Sequence, residues 1–270
     1  MLLDAVARTL RAAGCVFAED EAASLVREAR DEDHLAEMVS RRVAGQPLEQ
    51  VVGWAEFCGL RIAVAPGVFV PRRRTELLVD AAAQVLASGG ALAGASVRPV
   101  VVDLCCGSGA VGAALAAIRD VELYAADIDP VAVACARRTV RPADHVLEGD
   151  LFDALPGTLR GRVDVLVANA PYVPTAEIRL MPAEAREHEP RRALDGGGDG
   201  LDLHRRVVEG AEDWLAPGGH LLVETSARQA SGTVALFRAS GLVPRVVRRE
   251  EIGGTVVVGS RPAGGPPEGS

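Results

Sequence analysis

Lysine is absent: every one of the 29 basic residues among the 270 is an arginine. That absence excludes Schiff-base catalysis, a pyridoxal-phosphate anchor and the lysine of a Walker phosphate loop. An excess of positive charge is also lacking, since 37 acidic residues leave a net charge of −8. A protein that coats phosphate backbones would show the opposite balance, so stable nucleic-acid binding is not expected. The five cysteines (Cys15, Cys58, Cys105, Cys106 and Cys135) are odd in number and show no C-x-x-C spacing. Neither a disulfide framework nor a zinc ribbon is therefore expected, no metal site is predicted, and a reducing compartment is the natural setting. No apolar run approaches the roughly 20 residues that cross a bilayer. The longest uncharged stretch, 81–97, is interrupted by Gln84, Ser88, Gly89, Gly90 and Gly94. Asp4 and Arg8 break the N-terminus before an apolar signal core can form, so no membrane contact is expected and the expected location is the cytoplasm.

What is present is 49% hydrophobic and 24% charged, the balance of a globular protein. The length allows one large domain or two smaller ones. Leu3, Val6 and Leu10, then Leu35, Met38, Val39 and Val43, fall at the spacing of one helical face, which predicts a small helical bundle over the first 45 residues. Gly14 and the acidic cluster Glu19, Asp20 and Glu21 mark a break and a new helix start. Leu60, Ile62 and Val64 then alternate with Arg61 and Ala63, a strand pattern, and the segment from Trp54 to Val64 reads as a hairpin closed by Pro66 and Gly67. A boundary is expected near 70–75, dividing a helical region with its hairpin (1–70) from a larger unit (71–260). Within the larger unit, apolar runs at Val100–Leu104, Val121–Ala126, Val163–Ala168 and His220–Glu224 alternate with helical or loop stretches. Such alternation predicts an α/β fold with a parallel sheet covered on both faces. The nearly unbroken run Val163–Ala168 belongs at the centre of that sheet. Val243–Val247 and Thr255–Val258 are expected as an antiparallel hairpin at one edge. The segment 261–270, rich in glycine and proline, reads as a disordered tail.

The residues that can carry chemistry lie at the ends of the predicted strands. Val100–Leu104 runs into Cys105-Cys106-Gly107-Ser108-Gly109 and then an alanine-rich helix. Glycines there relieve crowding beside a ligand, and amides opening a helix present partial positive charge to an anion. Asp127, at the end of the next strand, can accept hydrogen bonds from both hydroxyls of a ribose. Gly107-x-Gly109-x-x-Gly112 satisfies a dinucleotide fingerprint as well, so a nicotinamide cofactor competes with S-adenosylmethionine at this point. Asp103, just ahead of the loop, favours the latter, because it suits an ammonium group better than a pyrophosphate. At the end of the central strand stands Asn169-Ala170-Pro171-Tyr172. Asn169 offers a side-chain carbonyl, Pro171 pushes Ala170 toward an extended conformation that frees its carbonyl, and Tyr172 supplies a flat face. Two acceptors beside an aromatic ring suit a planar group carrying an NH2. His188-Glu189-Pro190 fails as a zinc motif because Arg192 stands where the second histidine belongs. Cys105 and Cys106 are expected to pack, and Arg72, Arg73 and Arg74 to form a short solvated charge cluster.

Taken together these segments resemble the HemK/PrmC type of protein-(glutamine-N5) methyltransferases. The resemblance also rests on Gln46-Pro47-Leu48, Gly53-x-x-Glu56-Phe57-x-Gly59-Leu60, Val70-Pro71-Arg72, Thr75-Glu76-Leu77-Leu78, Gly149-Asp150-Leu151-Phe152, Glu189-Pro190-x-x-Ala193-Leu194 and Gly200-Leu201-Asp202. It implies a seven-stranded, Rossmann-like class I methyltransferase sheet behind a helical recognition domain, with S-adenosylmethionine as cofactor. The substrate it implies is a glutamine amide of a peptide chain release factor. By the same resemblance Asp103 and the loop Cys105, Cys106, Gly107, Ser108 and Gly109 hold the cofactor, Asp127 its ribose, and Asp150 with Leu151 the adenine. Asn169, Ala170, Pro171 and Tyr172 receive the amide, with Asn169 also beside the cofactor. The sequence departs from the family pattern at Ala170, where proline is usual, at Cys105, where glycine is usual, and at Thr225-Ser226 and Glu250–Gly254. These departures keep open a relative acting on another protein or on a small amide, and an adenine-N6 methyltransferase shares the tetrapeptide type.

Overall fold

The computed structural model describes residues 2–88 and 98–263. The expected disordered tail lies, from residue 264 on, outside the described residues, as does the end of the uncharged stretch. Helices α1 (Leu2–Ala12), α2 (Ala18–Glu28), α3 (Glu32–Val43) and α4 (Leu48–Val52) open the chain. Val6, Leu10, Ala22, Leu25, Leu35 and Met38 close their apolar stripes into a small core of their own. The start of α3 is held by Asp31, whose side chain accepts from the His34 amide at 2.8 Å. The hairpin follows as β1 (Trp54–Phe57) and β2 (Leu60–Ala63). Its Phe57 and Ile62 are buried in the large core beneath the main sheet rather than among the first helices. The hairpin is thus a bracket between the two cores.

The main unit runs α5 (Glu76–Ser88), β3 (Val100–Leu104), α6 (Ala110–Ile118), β4 (Glu122–Asp127), α7 (Pro130–Thr139), β5 (Val146–Glu148), β6 (Val163–Ala168), α8 (Ala183–His188), α9 (Asp202–Trp214), β7 (Leu215–Glu224), α10 (Ala230–Ala239), β8 (Val243–Arg249) and β9 (Gly254–Ser260). Seven strands form one sheet in the order β5-β4-β3-β6-β7-β9-β8. The first five are parallel, and β9 lies antiparallel between β7 and β8. The seven-stranded α/β architecture and the central place of β6 agree with the sequence reading. The three-residue β5 is absent from the pattern, because Val146-Leu147-Glu148 is too short to show a period. One face is covered by α5, α6 and α7, with Leu78, Leu115 and Val133 in its core. The other is covered by α9 and α10, with Val207, Trp214 and Phe237. Among the described residues no helix is long and apolar enough to cross a membrane.

This order places a crevice where ligands bind in open sheets. The chain goes from β3 outward through β4 and β5 and then returns to the opposite side of β3 as β6. The connections after β3 and β6 therefore leave in opposite directions, and the gap between them opens at the strand ends.

Candidate active site

Leu104 pairs with Ala168, so Cys105 and Asn169 leave the sheet as neighbours. Around them lies a cavity of about 660 Å³, within the range of small-molecule sites. Asp103, Cys105, Cys106, Gly107, Ser108, Asp127, Asp150, Leu151, Asn169, Ala170, Pro171 and Tyr172 all line it. Gly109 stands one step behind. It opens α6 in a left-handed conformation (φ 76), and a Cβ there would meet the Val140 side chain at 2.7 Å.

The glycine turn is held from two sides. The Asp127 carboxylate accepts from the Gly107 amide at 2.8 Å and, through its other oxygen, from the Asp129 amide at 2.9 Å. Each oxygen keeps a second lone pair for a ligand hydroxyl. Asp103 is buried, and one of its oxygens accepts from the Gly112 amide at 2.8 Å. Burial pushes its carboxyl up to about 7, against the opposing pull of that amide. Burial also raises the Asp127 carboxyl. Asp150 takes a 2.8 Å contact from Arg206 on α9, which aims one of its oxygens. Cys105, where the family pattern has glycine, nevertheless adopts the glycine-like conformation (φ 55). Burial raises both the Cys105 and Cys106 thiols, which leaves them as protonated packing groups rather than nucleophiles.

Gly107 is left-handed (φ 55), and a Cβ built on it meets no atom within 4 Å. The open side belongs to the cavity. Gly107→Ala is therefore expected to keep the fold while weakening S-adenosylhomocysteine binding more than about tenfold, through the cost of a left-handed alanine and a methyl in the ligand's path. Calorimetric titration checks this.

The tetrapeptide is pressed into place by its neighbours. Asn169 donates from Nδ2 to the Thr75 hydroxyl at a long 3.5 Å, so its carbonyl oxygen is turned away from Thr75. The Tyr172 carbonyl accepts from Gln229 at 2.9 Å. A Cβ on Gly196 would lie 2.7 Å from the Tyr172 Cα and 2.8 Å from the Pro171 carbonyl, so only glycine admits this approach. A Cβ on Gly200 would likewise run into the Tyr172 carbonyl and the Gln229 side chain. That lack of room, with a left-handed φ of 78, gives the glycine of Gly200-Leu201-Asp202 its physical reason.

One reading of the sequence is corrected here. Arg72 and Arg74 are not merely solvated charges. Arg72 reaches both oxygens of the fully buried Glu189 carboxylate at 2.7 Å, and that carboxylate also accepts from the Val70 amide at 3.1 Å. Arg74 donates to Glu224 at 3.2 Å. Only Arg73 is exposed. Two motifs far apart in the chain, Val70-Pro71-Arg72 and Glu189-Pro190, thus form one clip across the cavity mouth. Gln50 of α4 bridges the same two segments, donating to the carbonyls of Val68 at 3.0 Å and His188 at 3.3 Å. Ile128, exposed at the cavity rim beside Asp127, also escaped the sequence reading. Its apolar side chain next to a polar strand end was the available signal.

The strand order and the glycine turn facing carboxylates on three successive strand ends define the class: a methyltransferase that draws its methyl group from S-adenosylmethionine. A family model described as methyltransferase small domain matches residues 59–201. A solved methyltransferase from Pyrococcus furiosus has the same fold, with a TM-score of 0.50 and 16% identity over 84% of this chain and 99% of that one. The chain belongs to the release factor glutamine methyltransferase family. It is 37% identical to the release factor glutamine methyltransferase of Geobacter sulfurreducens over 83% of this chain and 76% of that protein. It is also 39% identical, over 75% of this chain and 69% of that protein, to the 4-amino-L-phenylalanine/4-methylamino-L-phenylalanine methyltransferase of Streptomyces pristinaespiralis.

Proposed function

We propose that this enzyme methylates the side-chain amide nitrogen of a glutamine in a peptide chain release factor, a substrate that would place it in the cytoplasm. The observation that carries the reading is the adjacency of Asn169 to the glycine turn across paired strands. S-adenosylmethionine, when bound, supplies a methyl group made electrophilic by a sulfonium. Asp103 would face its ammonium group, Asp127 its ribose, and Asp150 with Leu151 its adenine. The Asn169 carbonyl and the Ala170 carbonyl accept the two amide hydrogens and fix the plane of the nitrogen. Tyr172 covers the amide face. An amide nitrogen is a poor nucleophile because its lone pair is delocalised, so orientation matters more than a base. Holding reacting groups in line can supply roughly 7–11 kcal/mol in favourable cases. The sulfonium would leave with the electrons of its methyl carbon–sulfur bond as the amide nitrogen took the methyl group, and the nitrogen would give up one proton to solvent.

The test is incubation of the purified protein with labelled S-adenosylmethionine and a release factor, with the methylated residue located by mass spectrometry. Label on a glutamine is expected; no label above background would overturn the reading. A second reading is favoured by the likeness to the aminophenylalanine enzyme together with Ala170: an aromatic amine presents the same NH2 beside a flat ring. Free 4-aminophenylalanine assayed in parallel separates the two.

A pH dependence follows from Asp103. Its folded value of about 7 lies above the ordinary carboxyl value. The stability it contributes is complete below the unfolded value of roughly 4 and is lost as pH rises through the folded one. A bound ammonium needs the ionised form. S-adenosylhomocysteine affinity is therefore expected to rise between about pH 6 and pH 8, with proton release below pH ~7, and Asp103→Asn is expected to flatten the rise. Calorimetry in buffers of different ionisation enthalpy measures both.

A further inference from the structure

Behind the amide-binding tetrapeptide stands a buried carboxylate that the proposed chemistry does not use. Glu224 ends β7, and its side chain is 1% exposed. One of its oxygens accepts from the Tyr172 hydroxyl at 3.1 Å and from Arg74 Nε at 3.2 Å. The other is buried without a hydrogen-bond partner among the described residues. Leaving such an atom unpaired is costly, so the arrangement demands a reason beyond packing. Arg74 and Thr75 share the short turn Arg73–Thr75 ahead of α5. Thr75 touches Asn169, the first residue of the tetrapeptide, while Arg74 reaches Tyr172, the last, through Glu224 and lies 5.8 Å from its ring centroid. The turn is backed by Gly254, where a Cβ would press on the Arg74 carbonyl at 2.9 Å. One turn therefore grips both ends of the segment that receives the amide.

We propose that Glu224 is a positioning residue for methyl transfer: by holding Tyr172 and Arg74 together it fixes the aromatic wall of the amide site against the turn that carries Thr75. The inference rests on the amide-binding reading of Asn169–Tyr172. Burial, with the adjacent Glu224 adding to it, raises the Tyr172 hydroxyl, so it stays a hydrogen-bond donor to the carboxylate. Among the described residues the hydrogen bonds of Glu224 run to Tyr172 and Arg74 and not to the glycine turn, so the expected effect falls on methyl transfer rather than on cofactor binding.

Glu224→Gln keeps an oxygen for Tyr172 but removes the charge that holds Arg74; Glu224→Ala removes both. The expected result is a kcat about tenfold lower for the first and about 100-fold lower for the second, with S-adenosylhomocysteine affinity within about twofold of the parent. Tyr172→Phe combined with Glu224→Ala is expected to be no slower than the worse single variant, because both break one contact. The sequence has two tyrosines, so 3-fluorotyrosine in a Tyr124→Phe background reports on Tyr172 alone. Its fluorine resonance is expected to shift in both Glu224 variants without any substrate. Unchanged kcat in Glu224→Gln and Glu224→Ala, or single effects that multiply, would overturn the positioning role. An unmoved fluorine signal would overturn the clamp itself. If Asn169→Ala kept full turnover on the glutamine substrate, the amide reading would fail, and the fluorine signal would still decide the clamp.

Discussion

Replacing Asn169 by alanine is expected to lower turnover on a glutamine substrate about 1,000-fold, near 4 kcal/mol of barrier, while S-adenosylhomocysteine binding stays close to that of the parent. The asymmetry follows from where the residue sits. Asn169 is at the tip of β6, and its side chain is oriented by Thr75 rather than by the glycine turn. Removing its carbonyl leaves one acceptor, at Ala170, for an amide with two hydrogens. The nitrogen can then rotate its electron density out of line with the methyl group. Single-turnover assays with labelled cofactor, alongside calorimetric binding, separate the two effects; equal losses in both would mean that Asn169 serves the cofactor instead.

Glu189→Ala is expected to destabilise the protein by about 3 kcal/mol, measured as a lower urea midpoint at unchanged slope. Glu189 has no exposed side-chain surface and satisfies two groups at once, Arg72 and the Val70 amide. Its loss leaves that buried amide unpaired. Arg72 is about a third exposed, at 32%, and can regain water, which keeps the loss at the low end for a broken buried pair. Glu189→Gln retains an acceptor for Val70 and is expected to cost less. Because the clip joins the segment after the hairpin to the loop before α9, the alanine variant is also expected to raise KM for the proposed release-factor substrate before it alters cofactor affinity.

The parts of the site legible from the sequence share one property: each is a short run of neighbours. Val100–Leu104 followed by Gly107 and Gly109, Asp127 closing its strand, and Asn169–Tyr172 after Val163–Ala168 are each readable within a dozen residues. Strand period and turn chemistry act over that range. What escaped was not local. Arg72 and Glu189 are 117 positions apart, and Arg74 and Glu224 are 150 apart. From the sequence alone the arginines formed a charged cluster and Glu189 part of a failed metal motif, and although Val70-Pro71-Arg72 and Glu189-Pro190 both counted toward the family resemblance, nothing in either run paired them. Only the closure of the sheet brings them together.

The sequence by itself therefore determined the class of fold, the central strand and the residues at the two strand tips, because apolar periodicity and glycine turns are decided by nearest neighbours along the chain. The tertiary structure alone decided how the segment Asn169–Tyr172 and the cavity beside it are held: the Glu189 clip, the Glu224 contact and the tight seat of Gly196 against Tyr172. Those depend on the register of strands and on which loops cross the same crevice, quantities set by packing across the sheet rather than by any local run of residues.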